Sequence, residues 1–243
     1  TPDGTKVLTA NEGEPNDDYT IDPDGSISII DISDGVVGIG AGNVTTAGFT
    51  AFHGAVLDPS IRIFGPGATV AQDLEPEYIA VTPDSQTAFV TCQENNALAV
   101  VDLTTGTVAA LVGLGFKDHS LAGNGLDASD RDDAINIAQW PLLGMYQPDT
   151  ITSLTVNGTT YLITANEGDA RDYDGYSEED RIKDLTLDPI AFPNAASLQE
   201  DENIGRLATT TATGDDDNDG DFDRLFAYGA RSFSVWSTSG ALL

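Results

Sequence analysis

Thr9-Ala10-Asn11-Glu12-Gly13 and Thr164-Ala165-Asn166-Glu167-Gly168 are the same five residues in two distant parts of the chain. Each closes a run of β-forming residues, Val7-Leu8-Thr9 or Tyr161-Leu162-Ile163-Thr164, and each run follows a turn, Pro2-Asp3-Gly4 or Asn157-Gly158. Ala88-Phe89-Val90-Thr91-Cys92-Gln93-Glu94 is a third run of this kind, after Pro83-Asp84-Ser85. Two of the three turns are preceded by related segments, Glu75-Pro76-Glu77-Tyr78-Ile79-Ala80-Val81 and Gln147-Pro148-Asp149-Thr150-Ile151-Thr152-Ser153. Ser26-Ile27-Ser28-Ile29-Ile30-Asp31-Ile32 matches Ala97-Leu98-Ala99-Val100-Val101-Asp102-Leu103, and Ser232-Phe233-Ser234-Val235-Trp236-Ser237 matches both. The unit is strand–turn–strand–turn–strand.

Repeated small antiparallel sheets predict an all-β fold, a β-propeller of about four blade-like repeats. The repeats lie near 2–33, 75–112, 147–168 and 224–243, with insertions at 34–74, 113–146 and 169–223. A sandwich would use the same strands but does not account for the repeated loop motif. The chain opens after the first strand of one unit and stops after the third strand of another, so the expectation is one segment, 1–243, of a larger propeller. Helical periodicity is weak, and short helices are expected only near 129–137 and 177–185.

Composition narrows the function. With 40% hydrophobic residues among 243, the chain is not a disordered acidic tail. Thirty Asp and ten Glu against seven Arg and three Lys give a formal charge of −30. Such a chain repels nucleic acid and anionic membranes and attracts divalent cations or basic surfaces. Solubility or a salty medium explains the bulk charge equally well. No apolar stretch is long enough for a membrane span, and a start at Thr1 would conceal a removed leader. Cys92, the single cysteine, sits in an apolar run and reads as a buried small hydrophobe. Asn43 and Asn157 open glycosylation sequons. His53 and His119 form no ligand pair, Gly38-Ile39-Gly40-Ala41-Gly42 lacks a strand-to-helix context, and no nucleophile elbow is present.

Three constellations could carry chemistry. In Asp215-Asp216-Asp217-Asn218-Asp219-Gly220-Asp221-Phe222-Asp223, alternate carboxylates at Asp215, Asp217, Asp219 and Asp223, with an oxygen from Asp221, would surround calcium, and Gly220 permits the turn. Phe226 occupies the place of the EF-hand glutamate, so the segment looks like the calcium loops that precede propeller strands. The alternative is a solvated acidic run. Second, Glu12, Glu94 and Glu167 end equivalent strands, and Glu77 and Asp149 enter the neighbouring ones. In a propeller all five would line an acidic channel mouth suited to a metal or cationic ligand. The same glutamates would equally cap turns. Third, the loop after Gly168 offers Asp169, Arg171, Asp172 and Asp174 as a ligand loop, with Arg231 beside it, or as a self-neutralising surface.

Leu-Thr-Ala-Asn-Glu-Gly-Glu-Pro at 8–15, Gly-Phe-Lys-Asp-His-Ser at 115–120, Met-Tyr-Gln-Pro-Asp at 145–149, the Thr-Ala-Asn-Glu-Gly-Asp-Ala-Arg-Asp-Tyr stretch at 164–173 and Tyr-Gly-Ala-Arg-Ser-Phe-Ser-Val-Trp at 228–236 resemble the choice-of-anchor I domain family. It includes mesenchyme-specific cell-surface glycoproteins and many bacterial surface proteins. The resemblance implies an extracellular, surface-anchored β-propeller with calcium or mineral handling, and supplies no catalytic residue set. The expected function is non-enzymatic: calcium-dependent adhesion, surface assembly or mineral interaction, with surface or matrix proteins as partners. Some relatives carry phosphatase labels, which leaves a metal-dependent phosphoesterase as the alternative. Its metal would sit on Glu12, Glu94 and Glu167, with Arg171, Arg231 or Lys117 neutralising the phosphate.

Overall fold

The computed structural model describes residues 1–243. The chain is built mainly of strands, with only two four-residue α-helices, α1 (Val70–Asp73) and α2 (Ala195–Leu198). β1 (Lys6–Asn11), β2 (Ser26–Asp31) and β3 (Val44–Gly48) form the first sheet. β4 (Pro76–Val81), β5 (Thr87–Cys92), β6 (Ala97–Asp102) and β7 (Thr107–Gly113) form the second, an antiparallel meander in chain order. β8 (Phe116–Asp118), β9 (Leu126–Asp127), β10 (Ile137–Ala138) and β11 (Leu143–Met145) are short. β12 (Thr150–Val156) and β13 (Thr159–Asn166) open the third sheet. β14 (Asp172–Tyr173), β15 (Tyr176–Ser177), β16 (Glu179–Arg181), β17 (Ala208–Thr210) and β18 (Phe226–Ala227) follow before β19 (Ser232–Ser237) completes that third sheet against β13.

The repeated sequence has a specific structural use. Thr9 donates to Asn11 Oδ1 at 3.0 Å, and Asn11 Nδ2 reaches the hydroxyls of Ser26 and Ser28 on β2 at 3.2 and 2.9 Å. In the third sheet Thr164 donates to Asn166 Oδ1 at 2.8 Å, and Asn166 Nδ2 reaches Ser232 and Ser234 on β19 at 2.9 and 2.7 Å. Thr-Ala-Asn on one strand thus reads Ser-x-Ser on the next and pins the register, with Asn11 opposite Ser26 and Asn166 opposite Ser232. The glycine ending the second copy is also required. Gly168 has φ +85° and lies so close to Gly229 that a Cβ would fall 2.0 Å from its amide nitrogen.

The second sheet is buried on both faces. Ala88, Val90, Cys92, Ala97, Ala99 and Val101 pack toward Ile27, Ile29, Ala47 and Phe49 of the first sheet and the segment after it. Phe89 and Leu98 face the other way, onto Ile151, Leu162 and Trp236 of the third sheet. This alternation follows the strand period of two, and it buries Cys92 completely, as its apolar neighbours predict. Trp236 is held by an edge-to-face contact with Tyr146 and by a 2.9 Å bond from Nε1 to Thr164. β4 lies beside both β1 and β12, so one strand of each sheet shares the inner layer.

The observed architecture departs from the expected one in three ways. The fourth unit is not a separate blade, because 232–237 is the third strand of the sheet begun at 150. The segments before β12 and after β13 together build a five-stranded sheet, β16-β17-β18-β11-β8, over a core of Leu126, Leu142, Ile182, Phe192, Ile204 and Leu225. Finally, 129–137 forms bends rather than a helix, and 177–185 holds β16 and a single 3₁₀ turn (Ile182–Asp184), because 179–181 pairs with 208–210.

Leu98, fully buried between the second and third sheets, tests this packing. Leu98→Ala is expected to lower unfolding free energy by about 2–5 kcal/mol, whereas Leu154→Ala at a half-exposed position changes it by no more than about 0.5 kcal/mol. Urea unfolding followed by tryptophan fluorescence measures both, and equal effects would contradict the assigned faces.

Candidate cation sites

The turn joining β5 to β6 is Gln93-Glu94-Asn95-Asn96, and every residue in it is buried. Such a turn must satisfy its polar groups internally. Asn95 Nδ2 donates to the carbonyls of Arg62 and Asp73 at 2.9 and 2.6 Å, and Asn95 Oδ1 accepts from the amide of Glu75 at 3.2 Å. Asn96 takes φ +52°, donates to the Gly115 carbonyl at 2.9 Å and accepts from the amide of Gln147 at 3.1 Å. The turn therefore ties the segments at 60–75, 115 and 147 to one point.

Two arginines are buried beside it. Arg171 forms an ion pair with Asp73, donates to the Asp73 carbonyl at 2.6 Å and faces Glu75 at 3.2 Å. Arg62 pairs with Glu178 and donates to the carbonyl of Glu94 at 2.8 Å. Both guanidinium groups lie over the Phe64 ring, 4.0 and 4.5 Å from its centroid. Arg171 is therefore not free for a ligand. Asp169, Asp172 and Asp174 of the expected ligand loop are exposed around the β14–β15 hairpin, whose Tyr173 and Tyr176 pack edge-on against Tyr19. Arg231 is exposed at φ +45°, and Lys117 donates to the Ala230 carbonyl at 3.0 Å. His119 is buried, with Nδ1 2.6 Å from the Asn124 carbonyl.

Several carboxylates near the turn act on one another. Glu77 stands where β4 breaks register between Pro76 and Ile79, and a bulge re-aims the side chains it carries. Burial raises the Glu77 carboxyl to about 9, reinforced by Glu94, Glu12, Asp149 and Asp169. Burial raises Glu94 to about 7 despite Arg171, and Glu75 to about 8, since Arg171 is shared with Asp73. Glu12 is raised by burial and by Glu14. With its amide nitrogen turned toward Glu77, Gln93 lies 3.2 Å from both carboxylate oxygens. Of the expected mouth residues, Glu12, Glu94 and Asp149 thus each act on Glu77, as does Asp169. Glu167 is exposed and is not among the groups acting most strongly on Glu77 or Glu94.

The Asp-rich loop is the second gathering. Carboxylate oxygens of Asp215, Asp217 and Asp223 lie within 4.8 Å of one another, and so do those of Asp188, Asp221 and Asp223. Asp188 arrives through the bridge between Leu187 and Phe222, with its amide bonded to the Phe222 carbonyl at 3.1 Å. Nothing in the local pattern at 215–223 names it. Asp219 belongs to neither triad and instead accepts from the amide of Asp221 at 3.2 Å. Asp215 closes the turn by accepting from Asp219 and Gly220, and Asp216 pairs with Arg224. Asp217 is raised chiefly by the charge of Asp219, and Asp221 by burial and then Asp219.

These motifs run the length of the molecule, and the choice-of-anchor I domain matches residues 1–243. The chain belongs to the choice-of-anchor I domain family. Membership points to a surface-associated, extracellular protein. No curated protein matches the chain. Among solved structures, Kuenenia stuttgartiensis hydrazine synthase is similar over 69% of this chain and 28% of its own length, with 17% identity and a TM-score of 0.32. At that level it assigns neither fold nor activity to this family member. No helix is long and apolar enough to cross a membrane.

The two sets of acids give opposite pH limbs. Asp31, Asp58, Asp102 and Asp118 accept bonds from residues two positions on and are lowered by them, and Asp84 is lowered by the Thr82 hydroxyl and then by the amide of Gln86. Their stabilisation is present above the unfolded carboxyl pKa and is lost as pH falls. Glu75, Glu77 and Glu94 are raised, so the native chain holds more protons than the unfolded chain and stability falls as pH rises from about 4.5 toward 9. Thermal melts in chelator are expected to peak on the acid side of neutrality. Glu77→Gln should flatten the alkaline limb, and an unchanged slope would contradict the assignment.

Proposed function

We propose that this chain is a calcium-binding, non-enzymatic β-propeller segment of a surface protein, serving adhesion, surface assembly or mineral interaction. The observation that carries the reading is the arrival of Asp188 beside Asp221 and Asp223. A solvated acidic run has no reason to recruit another carboxylate from a separate segment, whereas an oxygen-coordinated cation needs several ligands at one point. Asp215, Asp217 and Asp223 supply short-armed oxygens at one place, and Asp188 and Asp221 gather against the shared Asp223 at another. Calcium would neutralise the mutual repulsion and hold β18 and β19 in place behind the loop. The shared inner layer of β1, β4 and β12 supports the propeller geometry.

The phosphoesterase alternative loses two of its three basic groups. Arg171 is committed to Asp73 and Glu75 and Lys117 donates to a backbone carbonyl, which leaves Arg231 alone exposed and outside any ion pair. A phosphate at the acidic mouth would face several carboxylates with at most that one arginine of the set to offset them.

Binding to the native state alone stabilises by mass action, about 2.7 kcal/mol at a hundredfold excess over Kd. The melting temperature is therefore expected to rise by roughly 5–10 °C between chelator and saturating calcium. Asp215→Asn/Asp223→Asn should lose most of that rise. No rise in the parent chain, or the same rise in the variant, would remove the loop as a calcium site.

A further inference from the structure

Three of the chain's seven arginines, Arg181, Arg206 and Arg231, line one cavity of about 460 Å³. In a chain of net charge −30, so many cations around one space need a reason. The fold brings them together. Arg181 pairs with Ala208 across β16 and β17, and Thr209 pairs with Ala227 across β17 and β18. Arg181, the start of β17 and Tyr228 therefore meet at one end of the five-stranded sheet, with Arg206 shortly before β17. Asp127 and Asp130 line the cavity as well. The three arginines are not equally occupied. Arg206 Nε donates to Asp130 at 2.8 Å. Arg181 Nη1 donates to the Arg206 carbonyl at 2.6 Å, while its Nη2 stands 3.9 Å from Glu179, beyond hydrogen-bond reach. Arg231 belongs to none of the eight ion pairs. Its backbone takes φ +45°, an uncommon conformation for a residue with a side chain, and such strained positions collect at ligand sites. The turn before it is tethered: Lys117 donates to the Ala230 carbonyl at 3.0 Å, and the Gly229 amide donates to Gln147 Oε1 at 3.3 Å.

We propose that this cavity binds a small, singly charged, hydroxylated oxyanion, the chemistry shared by a uronic acid and a sugar sulfate. Three arginines against Asp127 and Asp130 leave one positive charge, since the other lining residues are uncharged. A polyanion would exceed that charge, and a zwitterion would leave it unmet. The guanidinium of Arg231, with the free Nη2 of Arg181, takes the anionic group, whose paired oxygens match the planar fork. The two aspartates favour a ligand that also carries hydroxyl donors, and Asp127 Oδ1 has no hydrogen-bond partner within the chain. Tyr228 has its hydroxyl on the Glu178 carbonyl at 3.4 Å, so its ring is the surface against which a sugar's C–H face packs. The volume lies within the range of about 300–1,000 Å³ that small-ligand sites span. The site shares no residue with the Asp-rich loop and stands apart from the calcium reading.

NMR titration of the whole chain with glucuronate, glucose 6-sulfate, glucose and acetate tests the site. At least one of the two sugar anions should bind saturably, and the tighter of them names the source. Glucose, which lacks the charge, and acetate, which lacks the hydroxyls, should each bind at least tenfold more weakly than that anion. Arg231→Gln, at an exposed position, should weaken the anion at least tenfold, and Arg181→Gln provides the same test if the first variant fails to fold. Binding of neither sugar anion would overturn the site. So would glucose or acetate binding as tightly as the better anion, or unchanged affinity in the folded arginine variants.

Discussion

The buried turn at Gln93–Asn96 is the constraint on which the other contacts depend. A turn inside a protein has no water to satisfy its backbone, so each polar group needs an internal partner. Asn95 and Asn96 meet that need by reaching carbonyls of Arg62, Asp73 and Gly115 and amides of Glu75 and Gln147. Those bonds bring Asp73 to where Arg171 can pair with it, and the pair fixes the loop leaving β13. Removing one partner of such a buried pair typically costs about 3–5 kcal/mol. The first sheet, the second sheet and the insertion after β13 are therefore coupled through a few polar residues as well as through the apolar faces of β5 and β6.

That arrangement leaves charge of one sign uncompensated. The buried arginines are matched to Asp73 and Glu178, while Glu75, Glu77 and Glu94 stand in the same layer without a full partner. Elsewhere the acidity has a quieter role. Asp31, Asp84, Asp102 and Asp118 close turns by accepting from residues two positions on, which explains part of the excess of Asp over Glu. The net charge of −30 is thus not a uniform coat. It includes turn-closing aspartates, acids held in ion pairs and the Asp-rich loop, where carboxylates converge.

Much of this was legible in the residues. The repeated Thr-Ala-Asn and Ser-x-Ser segments mark strands, and the cross-strand bonds by which one holds the other are seen only in the structure. What the residues did not disclose is long-range pairing. Tyr228-Gly229-Ala230-Arg231 precedes β19 as if a new unit began there, yet β19 returns to β13 across the whole insertion. Asp188 and the Arg62–Glu178 pair were hidden for the same reason, since a bridge or ion pair between distant segments leaves no local spacing to read. The misplaced helix at 177–185 shows tertiary pairing overriding weak local preference, because β16 gains a partner in β17.

Anomalous diffraction from crystals grown with manganese in place of calcium tests the central claim, that the carboxylates of the Asp-rich loop form a cation site. The prediction is a peak among Asp215, Asp217, Asp223 and their neighbours. Crystals that diffract well and show no metal there would contradict it.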